Sequence, residues 1–283
     1  MIDIVAAGAL AIPQGGAPDW VALARGSAWI AVNGGIQQMD GATGAAGALV
    51  QVRGICTAMD TDGDSLWAAD CDHGTVVHVD ATTATIAATY PVGETIAEEG
   101  SVGVGEGGVW VATKAPSLVR IDLTTKAKTT FPLPANGAGV RAGLGSVWVT
   151  VPESGNLLQV DPGDGSVRAT IKVGPEGRFL AIGGGVVWVM NNGDGTVSRV
   201  TADGKVTSTH ASKAGIDGGD IAYGGGFVWA RISAGLVAKL DGKTGALLAT
   251  YGPPSGSGSV AADDTAAWIS AHNVSSVWRL PLD

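Results

Sequence analysis

Seven short segments of the chain set a buried-type tryptophan inside an alternation of small and apolar residues. They are GSAWIAV (Trp29), DSLWAAD (Trp67), GGVWVAT (Trp110), GSVWVTV (Trp148), GVVWVMN (Trp188), GFVWARI (Trp229) and TAAWISA (Trp268). Alternation with period two is the pattern of a β-strand with different surroundings on its two faces. The tryptophans recur at intervals of 38 to 43 residues. An aspartate follows each of five of them in a turn-like context, at Asp40, Asp80, Asp122, Asp161 and Asp241. Between these marks each repeat reads as four strands. A first strand ends in a Gly-rich turn, a second carries the tryptophan, a third ends at the Asp turn, and a fourth resembles ATIKVG or LLATYG.

Four short strands recurring about every 40 residues predict a β-propeller blade. The fold class is therefore all-β: a seven-bladed propeller of four-stranded antiparallel blades, with repeats starting near residues 17, 54, 100, 138, 178, 219 and 258. The last repeat, DDTAAWISAHNVSSVWRLPLD, stops after its third strand. The N-terminal segment DIVAAGALAIP has the fourth-strand pattern, so it is expected to complete the last blade and close the ring. Closure removes exposed sheet edges. The whole chain, 1–283, is read as one domain, and the repeated tryptophans as packing between neighbouring sheets.

Composition supports this reading. The 45 glycines show no collagen triplet period, and aromatic residues make up only 5% of the chain. That balance suits many short strands and tight turns. The net charge is −9, with no basic cluster. This excludes nucleic acid and anionic membrane surfaces as partners on electrostatic grounds. No apolar run reaches the length of a membrane span. The start, MIDIVAAGALAIPQGG, lacks the basic segment of a signal peptide. A monomer is expected.

Both cysteines lie in one stretch, GICTAMDTDGDSLWAADCDHG. If residues 56–62 and 65–71 are paired strands around a turn at Gly63-Asp64, Cys56 falls opposite Cys71. Directly opposed positions are close enough for a disulfide. A bond would imply an oxidising compartment, periplasmic or secreted, and free thiols a cytoplasmic one. Two other readings stay open: a metal site in which Cys56, Cys71 and His73 are joined by Asp70 or Asp72, and a nucleophilic cysteine. The DTDGD segment, Asp60 to Asp64, has the acid spacing of a calcium loop without its glycine or its distant glutamate, which favours turn chemistry. Asn273-Val274-Ser275 is a formal glycosylation sequon.

The repeat pattern G-x-G-x-V-W-V-T, a polar loop, then V-x-R-I-D resembles the bacterial seven-bladed propellers that include the YVTN-repeat proteins and the virginiamycin B (streptogramin) lyases. The likeness covers almost the whole chain. It implies a ligand site at the channel mouth, where the loops entering the inner strands meet those joining the second and third strands. The entry loops here offer Asp19 and Trp20, Arg53, Glu98 and Glu99, Glu176 and Arg178, and Asp217 and Asp220. The second set offers Asp70, Asp72 and His73, Lys114, Glu153, Asn191 and Asn192, Arg231, and His272 and Asn273. The opposite face carries Gly-rich hairpins such as GEGG, GLGS and GGGV. From these we take His73, His272 and Arg53 as candidate catalytic residues. Trp20, Asp19, Glu98, Glu99, Lys114, Glu153, Arg178, Asn191 and Arg231 are candidate ligand contacts.

For the lyases the resemblance implies elimination of a C–O bond in a cyclic depsipeptide, with a divalent metal held by acidic residues and a histidine base. This sequence departs from their motif. Arg53 stands where Pro-His-Gly-Ile places the histidine, and Asp70 where Trp-Phe-Thr-Glu places the glutamate. Two functions are therefore expected in competition: a lyase-like enzyme acting on a small polar molecule, and a non-catalytic exported binding propeller of the YVTN sort.

Overall fold

The computed structural model describes residues 1–14, 16–212, 216 and 218–282, and contains seven antiparallel sheets arranged in a ring. In blade 1 the strands are Val21–Ala24, Ser27–Val32, Gly35–Asp40 and Ala46–Gln51. Blades 2 to 6 repeat this order, each beginning with an inner strand: Ile55–Thr61, Val102–Gly105, Val140–Gly143, Gly177–Gly183 and Ile221–Gly224. Blade 7 takes three strands from the C-terminal end, Val260–Ala262, Ala266–Ala271 and Ser276–Pro281. Its fourth is Leu10–Pro13, antiparallel to Ser276–Pro281. Inner strands touch their neighbours all round the ring, including Val260–Ala262 against Val21–Ala24. The expected closure by the N-terminus is therefore present. A further strand, Ile2–Asp3, was not foreseen; it adds to blade 6, parallel to Leu247–Gly252.

The repeated tryptophan is conserved from blade to blade for two physical reasons. All seven are buried, between 0% and 1% exposed. Each packs against the following blade, as Trp67 does with Val102 and Val104. Five also donate their indole N–H to a carbonyl five residues earlier, Trp110 to Gly105 at 3.0 Å being one case. A buried indole needs such a partner, and here the bond locks the first hairpin of the blade. The recurring aspartates cap turns. Asp40 Oδ1, for example, accepts from the N–H groups of Ala42 and Thr43. Asp62 does the same for Asp64 and Ser65, so DTDGD is a hairpin turn.

Blade 2 departs from the expected register. Met59 opposes Ala68, but Ile55 opposes Asp70, so the inner strand bulges between them. Cys56 is therefore not directly opposite Cys71. The bulge still brings their Cα atoms to 5.7 Å, and the two are disulfide-bonded. This removes the free-thiol readings of the stretch and hints at an oxidising compartment.

Candidate functional site at the channel mouth

The entry loops and the loops after the tryptophan strands do share one face, and contacts between the two sets build the mouth. His272, just past strand Ala266–Ala271 of blade 7, reaches the entry loop of blade 1. Its Nε2 stands 2.9 Å from Asp19 Oδ1, an ion-pair contact that is not aligned as a hydrogen bond. Asp19 is fixed from below, since Ser270 Oγ donates to its carbonyl at 2.6 Å. Contact with the Asp19 carboxylate raises the pKa of His272 above its ordinary value, and burial opposes that rise. The pair borders a cleft of about 160 Å³ that Ala31 and Ile55 also line.

Around the same rim the other bases are also matched with acids. Lys114 Nζ donates to Glu98 Oε1 at 3.0 Å and lowers that carboxyl's pKa. Arg178 Nε lies 3.7 Å from Glu99 Oε2 without a hydrogen bond. Burial raises the Glu99 pKa; Arg178 and His272 pull it back, while Asp19 pushes it up. Glu99 thus senses both His272 and Arg178 across the mouth. Glu98, Glu99, Lys114 and Arg178 line a second cleft of about 350 Å³. In blade 2, His73 Nδ1 is 2.9 Å from both carboxylate oxygens of Asp70, with its ring largely exposed. It lies six residues past its tryptophan and His272 four, so the two histidines are not at matching positions. Arg53 and Glu153 are exposed and form no ion pair among the described residues. Asp217 lies outside the described residues.

Four candidates occupy places other than those expected. Arg231 is fully buried, and all five of its N–H groups are used. They reach the carbonyls of Ser270, Ile232, Leu236 and Gly256 and the Ser255 hydroxyl. It ties blade 6 to blade 7 and has no donor left for a ligand. Burial lowers its pKa to about 10, which leaves it charged at neutral pH. Asn191 is also fully buried, donating to Thr196 and Ser198 within blade 5. Trp20 is 2% exposed; its indole N–H donates to the Met59 carbonyl at 2.7 Å, and its ring meets Phe179 at 6.1 Å. Asp220 lies in the channel rather than on the entry loop's surface.

The channel itself was missed at the sequence level, though a signal existed. The residue seven positions before each repeated tryptophan pairs with it across the first hairpin. These residues are Ala22, Asp60, Gly103, Arg141, Ala181, Ala222 and Ala261. Five of the seven are alanine or glycine, and only Asp60 and Arg141 carry charge.

Solved structures with the same architecture can now be compared. Virginiamycin B lyase from Staphylococcus aureus, in a catalytically inactive histidine-to-alanine form with quinupristin, superposes with a TM-score of 0.81 at 14% identity. The match covers 97% of this chain and 99% of that one. The fold is that of virginiamycin B lyase. A streptogramin B lyase gives 0.78 at 12% identity over 97% and 98% of the two chains. The Cps50 (Swd1) propeller of Myceliophteria thermophila gives the same values. Identities this low establish fold and not activity. No protein-family model matches the chain, and comparison with curated proteins gives no match.

The lyase resemblance implies a divalent metal, and the mouth does not fit one. Among the described residues no three His, Cys, Asp or Glu side chains are grouped to hold an ion. Four acids of the mouth loops are instead engaged by bases: Asp19 by His272, Glu99 by Arg178, Glu98 by Lys114 and Asp70 by His73. No helix among the described residues is long and apolar enough to cross a membrane.

Proposed function

We propose that the mouth binds a small polar molecule and that His272 acts there as the general base of a lyase-like elimination. The observation that carries the reading is the His272–Asp19 contact beside Arg178 and Glu99. Asp19 favours the tautomer with its proton on Nε2, which leaves the lone pair on Nδ1. That nitrogen takes a proton from a carbon next to a carbonyl. The C–H electron pair forms a C=C bond, the neighbouring C–O bond breaks, and its electrons leave on a carboxylate. Arg178 is the cation available to steady that carboxylate. The inactive histidine-to-alanine form of the S. aureus lyase supports a histidine base on this fold. The disulfide supports an exported, periplasmic or secreted protein.

The alternative is a binding propeller without turnover; the Cps50 propeller, with a TM-score of 0.78, is nearly as similar as the S. aureus lyase at 0.81. Incubation with cyclic depsipeptides and with linear esters bearing an acidic α-hydrogen separates the readings. Elimination opens a cyclic substrate with no change in mass, whereas hydrolysis adds one water. An isomeric ring-opened product that disappears in His272→Ala supports the proposal. Binding to the wild type with no product supports the alternative.

A further inference from the structure

Below the mouth the channel is closed and then opens into a chamber. Trp20 of blade 1 and Phe179 of blade 5 meet over the axis. Gly100 of blade 3 comes in against them at φ 76°, and a Cβ there would stand 3.3 Å from the Phe179 ring and 3.5 Å from Trp20. The chamber beyond has a volume of about 300 Å³, the low end of the range for small-molecule sites. Its room comes from the alanine and glycine ring at the tryptophan level.

Three charged side chains face this space: Asp60, Arg141 and Asp220. Asp60 Oδ2 accepts from Val104 N–H at 2.8 Å. Asp220 accepts from Ile221 N–H and from Ser259 Oγ, both at 2.8 Å. Arg141 donates from Nη1 to the carbonyls of Val102 and Val140, and its guanidinium carbon lies 6.0 Å from the centre of the Trp20 ring. Its Nε and Nη2 hold no hydrogen bond among the described residues, and it forms no direct ion pair with either aspartate. One guanidinium is therefore set apart from two carboxylates across a small cavity whose walls include Val21, Met59, Ile182 and Val260. Charges so placed are costly unless something completes them.

We propose that this chamber is a second ligand site, for a small zwitterionic amino acid, with the ligand carboxylate on Arg141 and its ammonium between Asp60 and Asp220. The ligand supplies one missing counter-charge to each side. A planar guanidinium suits a carboxylate, and a compact ammonium suits two acceptors. Burial raises the pKa of both aspartates, with Arg141 the first influence drawing them back, as expected where negative charge is under-compensated. Entry is from the hairpin face, because Trp20, Phe179 and Gly100 block the mouth side. The site is thus separate from the His272 region.

The test is thermal-shift screening of the proteinogenic L-amino acids, β-alanine and γ-aminobutyrate, followed by calorimetry on any hit. Acetate and propylammonium serve as single-charge controls. The expected result is that at least one zwitterion raises Tm and neither control matches it. Arg141→Gln and the space-filling Ala261→Leu then each weaken binding by about tenfold or more, while His272→Ala leaves it unchanged. Ala261→Leu keeps every charge, so it guards against a folding defect in Arg141→Gln. The proposal is overturned if no amino acid binds at up to about 10 mM or if a control binds equally well. It is also overturned if binding survives both channel variants or is abolished by His272→Ala.

Discussion

His272 Nε2 and Asp19 Oδ1 stand 2.9 Å apart across the junction of blades 7 and 1, where the ring closes. The histidine therefore comes from near the C-terminal end of the chain and its acid partner from near the N-terminal end. The same Ser270 that precedes His272 in strand Ala266–Ala271 pins the Asp19 backbone, so acid and base share one support. The His73–Asp70 pair has a similar distance but sits within one loop, and its ring is 62% exposed against 33% for His272. A half-buried base held by a neighbouring blade is the better organised of the two for chemistry.

The disulfide closes a loop with a sequence separation of 15. Loop-closure entropy for that length is worth about 3 kcal/mol. Urea unfolding of Cys56→Ser/Cys71→Ser should show a stability loss of that order. Denatured, unreduced wild-type protein should take up no alkylating label. Uptake of two labels would contradict the bonded structure.

Replacing Arg231 by methionine should destabilise the fold by roughly 3 kcal/mol or more, because three buried carbonyls, a part-buried one and a buried hydroxyl lose their donor together. Denaturant midpoints report this directly. A variant as stable as the wild type, but impaired in ligand binding, would return Arg231 to the ligand contacts.

Asp220 should shape the pH dependence of stability. Its pKa rises from 3.8 to about 7 in the folded chain, chiefly through burial. A raised pKa means that the folded state holds a proton the unfolded chain has already released. The stabilisation is complete below pH 3.8 and is lost as pH rises to about 7. Compared with the wild type, Asp220→Asn should flatten the decline of Tm over this window. Parallel Tm profiles for the two proteins would contradict the burial of a titrating carboxyl.

Deleting residues 1–13 removes Leu10–Pro13 from blade 7 and exposes the edge of Ser276–Pro281. Unpaired edges recruit other chains. The truncated protein should unfold at lower temperature and associate, as read by light scattering. A monomer of unchanged stability would mean that closure contributes little.

The ring was legible because the signals that define it are local. The tryptophan bonds a carbonyl five residues away, and the turn aspartate bonds N–H groups two and three residues on. The closing strand was legible as the fourth-strand pattern missing from the last repeat. The mouth was legible only in outline. Asp19 and His272 each stand out as polar loop residues, but their contact depends on ring closure and has no spacing signature. Arg231 misled because its place, two residues after the tryptophan, looks like the start of a loop. Thr150 and Ser270 hold the same place in their blades, where each hydroxyl bridges to the next entry loop. The slip at Cys56 follows from a bulge, which alternation alone does not reveal. Two of the channel charges, Asp60 and Arg141, can be found by aligning the repeats on their tryptophans and reading back seven residues.

The role given to His272 is best checked by NMR titration of its ring in the wild type and in Asp19→Asn. The wild-type pKa should lie above the ordinary 6.5 and fall in the variant, where burial, which lowers it, loses its main opponent. A wild-type value at or below 6.5, or one that Asp19→Asn leaves unmoved, would mean that Asp19 does not hold the base, and the proposed site would lose its foundation.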